Sequence, residues 1–137
     1  MKRLYAVALA CLLAASGTGC SYNAKPEHPA QNRKVHHLVI VWLKQAGDEK
    51  LRQQYIRDSA GLAKLPGVLA YDVGTPAPIN RGRPNAAVDE SYDLAVSGVY
   101  ESQQAYEAFL QNPDYLRVAQ QLMRPLVDKY KVYDFIE

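Results

Sequence analysis

The stretch Val35 to Lys44 (VHHLVIVWLK) narrows the folds open to this chain more than any other segment. β-Branched and aromatic residues dominate it, which suits extended, pleated backbone. Along a strand, successive side chains point to opposite faces. One face therefore carries His37, Val39, Val41 and Leu43, and the other His36, Leu38, Ile40 and Trp42. Both faces are largely apolar, so a sheet built on this strand needs cover on both sides.

The elements that follow supply that cover. Gly47-Asp48 opens a helix with Asp48 as its N-cap, and Leu51, Tyr55, Leu62 and Leu65 recur at helical spacing until Leu65-Pro66-Gly67 ends it. Val68 to Gly74 (VLAYDVG) reads as a second strand. A long loop, Thr75 to Ser91, contains Pro76, Pro78, Gly82 and Pro84, and Tyr92 to Tyr100 (YDLAVSGVY) is the third strand. Ser102 caps a short helix with Ala105, Tyr106, Phe109 and Leu110 on one face. Asn112-Pro113 starts the next, with Asn at the cap and Pro at the first helical position. Leu116, Ala119, Met123 and Leu126 line its inner side, and Pro125 tightens its last turns. Lys129 to Glu137 (KYKVYDFIE) alternates polar and apolar residues as a fourth strand.

The order is βαββαβ: an α+β, ferredoxin-like arrangement with a four-stranded antiparallel sheet. Its helices cover one sheet face only. The simplest cover for the other is the sheet of a second copy, so the burial requirement predicts a homodimer closing into an α+β barrel.

Upstream, residues 1–19 read as a signal peptide. Lys2 and Arg3 precede an apolar run from Ala6 to Ala15, too short for the roughly 20 residues of a permanent membrane helix. The run ends Ser16-Gly17-Thr18-Gly19-Cys20, which resembles the lipobox of bacterial lipoproteins, with Gly17 departing from the usual aliphatic residue. The resemblance implies lipidation at Cys20 and a membrane anchor, with plain secretion as the alternative. Cys11 lies in the segment to be removed, so lipidation also accounts for the one Cys left over. Residues 20–34 read as the lipidated Cys and a flexible, polar tether. The expected address is the cell envelope, at the outer membrane or periplasmic face. Residues 35–137 form the domain. It has no basic patch with interleaved aromatics, which argues against nucleic acid as a partner.

Four segments in the domain (HHLVIVWLK, LPGVLAYDVG, YDLAVSGVYES and NPDYLRVAQQLMRPLVDKYKVYDF) resemble, in order and spacing, the stress-responsive A/B barrel (Dabb) domain. The resemblance spans Val35 to Phe135 and implies the same dimeric α+β barrel. One relative in that family, a plant polyketide cyclase, uses a Tyr and a His as an acid–base pair on and just after the short helix. By position those roles fall on Phe109 and Tyr115. Phe109 cannot exchange a proton, and Tyr115, with an ordinary phenol pKa near 10, is a poor base at neutral pH. Cyclase chemistry of that kind is therefore not expected. The strand-one His of that relative does have a match, His37.

The candidate pocket residues are His37, Tyr55, Phe109 and Tyr115, with Tyr71 and Tyr106 as further aromatics of the same set; each also fits plain core packing. His37 is the one side chain among the four that titrates near neutrality. Arg81 and Arg83 in the long loop suit an anionic ligand or simple solvation. His36 and His37 point to opposite faces and cannot chelate one ion, and no HxH, CxxC or HExxH spacing occurs; neither metal nor cofactor is expected. Two functions fit: a lipid-tethered homodimer that binds a small apolar molecule or partner protein, or a cofactor-independent cyclase- or isomerase-like enzyme on a small aromatic or polyketide-like substrate.

Overall fold

The structure, a computed structural model, describes residues 33–137. The signal-like segment, Cys20 and nearly all of the tether lie outside the described residues. The elements are β1 (Val35–Leu43), α1 (Glu49–Ser59), β2 (Val68–Gly74), β3 (Leu94–Tyr100), α2 (Gln103–Leu110), α3 (Pro113–Arg117) and β4 (Val127–Ile136). They build one antiparallel sheet in the order β2-β3-β1-β4. The expected ferredoxin-like order and four-stranded sheet are present.

Local chemistry explains the helix starts. The Asp48 carboxylate accepts from Lys50 N and Leu51 N at 2.8 and 3.1 Å. Ser102 Oγ accepts from Ala105 N at 3.1 Å, and Asn112 Oδ1 from Asp114 N at 2.9 Å, with Pro113 at the first helical position. Each side chain satisfies a donor that the first helical turn leaves without a partner.

Four boundaries differ from the sequence expectation. The first helix gives way after Ser59 to a 3-10 turn, Ala60–Lys64, instead of continuing to Leu65. Ser59 Oγ donates back to Ile56 O at 3.2 Å, a bond that competes with the helical ladder, and Gly61 follows. β3 begins at Leu94 rather than Tyr92, because Asp93 turns its carboxylate into the β1–α1 corner. β4 begins at Val127 rather than Lys129, since Val127 pairs with Leu43 across an irregularity beside Trp42. The last helix is α-helical only to Arg117, then π-helical over Val118–Met123 and 3-10 over Arg124–Leu126. Pro125 has no N–H to donate to the preceding turn, so the ordinary ladder cannot run through it.

On the helix-facing side of the sheet, the apolar side chains form two clusters. One holds Val35, Leu62, Tyr100, Phe109 and Val118; the other holds Val41, Leu43, Tyr55, Leu94 and Val96. Tyr71 and Met123 touch both. Gly67, at φ +78°, lets the start of β2 approach α2: a Cβ there would lie 2.7 Å from the Ala105 methyl. The opposite sheet face is left with apolar groups in solvent, among them Leu38, Tyr133 and Phe135, the last two more than half exposed at 52% and 56%.

A buried carboxylate ties β1 to α1. Asp93 accepts from Leu43 N at 2.9 Å, from Gly47 N at 2.7 Å and from Arg52 Nη2 at 2.9 Å, while its own N–H donates to Val41 O. Burial opposes its ionisation, but the Gly47 and Leu43 amides and the Arg52 guanidinium outweigh that, holding the carboxyl below the usual carboxylate range. Its stabilising contribution is therefore complete above the unfolded-state pKa near 3.9 and is lost as pH falls through the lower folded value. Asp93→Asn is expected to lower unfolding free energy by about 3 kcal/mol at pH 7. Urea unfolding across pH 2–7 checks this: the gap between wild type and variant should narrow towards the acid end.

Candidate functional site

A cavity of about 380 Å³ opens between the sheet and the helices, at the junction of the two core clusters. Its floor is the helix-facing row of the sheet: His37, Val39 and Val41 from β1, Val96 and Tyr100 from β3, Tyr71 from β2. Its roof comes from Tyr55 on α1, Phe109 on α2, Tyr115 and Leu116 on α3, and Ala119, Gln120 and Met123 on the π-helical segment. No helix lies over β4 among the described residues, so Tyr130 and Val132, though on the helix-facing side, are 48% and 43% exposed and border the mouth. Arg124 closes one corner, donating from Nη1 to the Tyr130 hydroxyl at 2.7 Å.

All four residues singled out from the sequence, His37, Tyr55, Phe109 and Tyr115, stand on the wall of this one cavity, as does Tyr71. Phe109 and Tyr115 pack ring against ring, with centroids 4.6 Å apart. Arg81 and Arg83 lie elsewhere, along an open groove in the exposed Thr75–Ser91 loop. His36 faces the other side of the sheet, stacked on Phe135 at 4.7 Å and bonded to Glu137 at 3.1 Å.

Asp134, which the sequence reading did not place in a site, and Tyr106, one of its further aromatics, complete the polar corner. Asp134 stands directly opposite His37 in the β1/β4 register, and its Oδ1 lies 2.7 Å from His37 Nδ1. The Tyr106 hydroxyl on α2 is also 2.7 Å from that nitrogen. An ionised carboxylate only accepts, so Asp134 takes the Nδ1 proton of His37. That fixes the imidazole tautomer and leaves Nε2 as the ring's acceptor. Asp134 had one signal in the sequence, an acid among the alternating residues of the last strand. Strand alternation without the register could not pair it with His37.

The phenols are held protonated. Burial pushes Tyr55, Tyr71, Tyr100, Tyr106 and Tyr115 above the ordinary tyrosine range, and the nearby Asp134 charge adds to this at Tyr106. The phenolate form of Tyr115 that could accept a proton is thus even scarcer near neutrality than in a free tyrosine. The site is an apolar chamber rimmed by neutral hydroxyls, with a carboxylate-backed imidazole on its floor. Such an arrangement can hold an apolar body, hydrogen-bond a polar group on it, and accept a proton at Nε2.

Solved structures share this architecture. A Dabb family protein with a ferredoxin-like fold from Mesorhizobium loti aligns at 20% identity and TM-score 0.62, over 77% of this chain and 97% of that one. A dimeric ferredoxin-like protein of unknown function from Thermobifida fusca aligns at 19% identity and TM-score 0.61, over 80% and 95%. The hydroxynitrile lyase of Passiflora edulis aligns at 22% identity and TM-score 0.61, also over 80% and 95%. At these identities the likeness speaks for the fold alone. None of the curated proteins matches the chain. The family model for the stress-responsive A/B barrel domain matches residues 35–137. With βαββαβ order, sheet topology and family match in agreement, this chain belongs to the stress-responsive A/B barrel (Dabb) domain family.

Proposed function

We propose that this protein is a homodimeric binding module that holds a small, largely apolar molecule in the cavity between sheet and helices, and that Cys20 tethers it to the cell envelope. The cavity carries this reading. It is of the size that takes drug-sized ligands, about 300–1,000 Å³, and its wall is mainly apolar and aromatic, with tyrosine hydroxyls, His37, Gln120 and Arg124 as its polar groups. A domain with a purely structural role would gain stability by filling such a space, because each lost methylene contact costs of the order of 1 kcal/mol.

The dimer rests on the uncovered sheet face. Leu38, Tyr133 and Phe135 form an apolar surface on one side of a sheet whose other side is already packed. A similar fold from Thermobifida fusca is described as dimeric. The anchor rests on the sequence of residues 16–20 alone, with plain secretion as its competitor.

One observation favours a second reading, a cofactor-independent enzyme. The Asp134–His37 pair on the cavity floor has the layout of an oriented general base, and a relative of the same fold, from Passiflora edulis, is a hydroxynitrile lyase. Phe109 and Tyr115 do not supply an acid–base pair, so any proton transfer falls to His37, with Asp134 and Tyr106 holding its tautomer.

The binding reading is checked with N-phenyl-1-naphthylamine, a neutral dye that brightens in apolar cavities. The wild type is expected to bind it, and Ala119→Trp, which projects bulk into the chamber, to bind it at least about tenfold more weakly (~1.4 kcal/mol) with an unchanged circular dichroism spectrum. Equal binding by both would place the dye outside the cavity. Light scattering at micromolar concentration should give twice the protomer mass, and Leu38→Asp should give the protomer mass; a monomeric wild type contradicts the dimer. Cys20→Ser should move the protein from the membrane to the soluble fraction, and unchanged membrane association would count against lipidation.

A further inference from the structure

Tyr100 is the odd group in the cavity floor. It is fully buried, yet its hydroxyl finds no hydrogen-bond partner among the described residues, and no other buried side-chain polar atom among them is in that position. An unsatisfied buried hydroxyl is a net cost to the folded state. Phenylalanine would keep the same packing against Tyr106 and Phe109, whose centroids lie 4.6 and 4.9 Å from that of Tyr100. Packing therefore gives no reason for the oxygen.

Its position is set by Gly98. A Cβ at that position would lie 3.0 Å from the Tyr100 hydroxyl and 2.9 Å from the ring, so the phenol end rests over the bare glycine backbone. Gly98 pairs with His37 on one side and with Tyr71 on the other. The hydroxyl thus sits between two residues that line the cavity, on a floor row reading His37, Tyr100, Tyr71.

Resting on the binding reading above, we infer that Tyr100 is the specificity-determining residue of the cavity, and that the ligand is an uncharged apolar molecule carrying an oxygen acceptor, such as a ketone, to which the Tyr100 hydroxyl donates. A hydrocarbon leaves that hydroxyl unpaired. A carboxylate is disfavoured as well: the only cation on the cavity wall is Arg124, at the mouth, whereas the carboxylate of Asp134 stands beside the floor. An isolated anion there is costly to desolvate. A site built around a buried donor discriminates strongly against ligands that cannot meet it.

The test uses two probes of nearly the same shape, 1-tetralone and tetralin, titrated calorimetrically into wild type and Tyr100→Phe. Partition from water favours the hydrocarbon, so hydrogen bonding appears as a change in the ratio of the two affinities. The tetralone-to-tetralin ratio is expected to fall about tenfold in the variant, about 1.4 kcal/mol, while tetralin binding holds or tightens. A ratio unchanged by the substitution overturns the inference and leaves the cavity reading standing. Failure of the wild type to bind either probe sinks the cavity reading and this inference with it. Should Tyr100→Phe not fold, a crystal structure of the wild-type tetralone complex decides: the ketone oxygen within hydrogen-bond distance of the Tyr100 hydroxyl supports the assignment, and an oxygen pointing elsewhere refutes it.

Discussion

Strand β1 is the constraint on which everything else depends. It is apolar on both faces and hydrogen-bonded along both edges, to β3 on one side and β4 on the other. A strand with those properties has one place in a small domain, the interior of a sheet with cover on both sides. The helices meet the demand on the side of Val35, Val39, Val41 and Leu43. The side of His36, Leu38, Ile40 and Trp42 is left for another layer. The same register also sets the chemistry: it brings Asp134 opposite His37, and Gly98 opposite His37 from the other edge. Asp93 then fixes how the chain leaves β1 for α1 by holding Leu43, Gly47 and Arg52 together.

The cavity follows from how the helices meet this sheet. Two clusters close over its ends and leave a gap where smaller residues face each other, the valines of the floor against Ala119 of the roof. The i→i+5 bonding of the π-helical turn at Val118–Met123 widens the turn itself, and Ala119, Gln120 and Met123 all reach the cavity wall. Tyrosine suits such a boundary because it offers apolar area and a polar tip in one side chain. Tyr55, Tyr71, Tyr100 and Tyr115 pack as core residues while directing hydroxyls at or near the chamber. Burial keeps those hydroxyls neutral, so these tyrosines offer hydrogen bonds without charge.

Much of the fold was legible in the sequence because it rests on local rules. Strand periodicity located β1 and β2, and Asp48, Ser102 and Asn112-Pro113 marked three helix starts that the structure bears out side chain by side chain. The doubly apolar β1 raised the question of a second layer without any coordinates. Boundaries were lost where a long-range interaction overrides local preference, as at Asp93, or where one residue alters the helical ladder, as at Pro125. The site was half legible. His37, Tyr55, Phe109 and Tyr115 stood out by residue type and by resemblance. Asp134 and the role of Tyr100 depend on cross-strand register and on the absence of a side chain at Gly98, neither of which periodicity encodes.

The central claim is that the space between sheet and helices is a ligand site and not a packing defect. Native mass spectrometry of the protein purified gently from its native cells tests it most directly. The account predicts a mass above that of the bare protein by one small molecule per protomer, lost on denaturation and recovered as an uncharged, mainly apolar compound. A bare protein mass in every charge state, together with no uptake of small apolar molecules added afterwards, would contradict it.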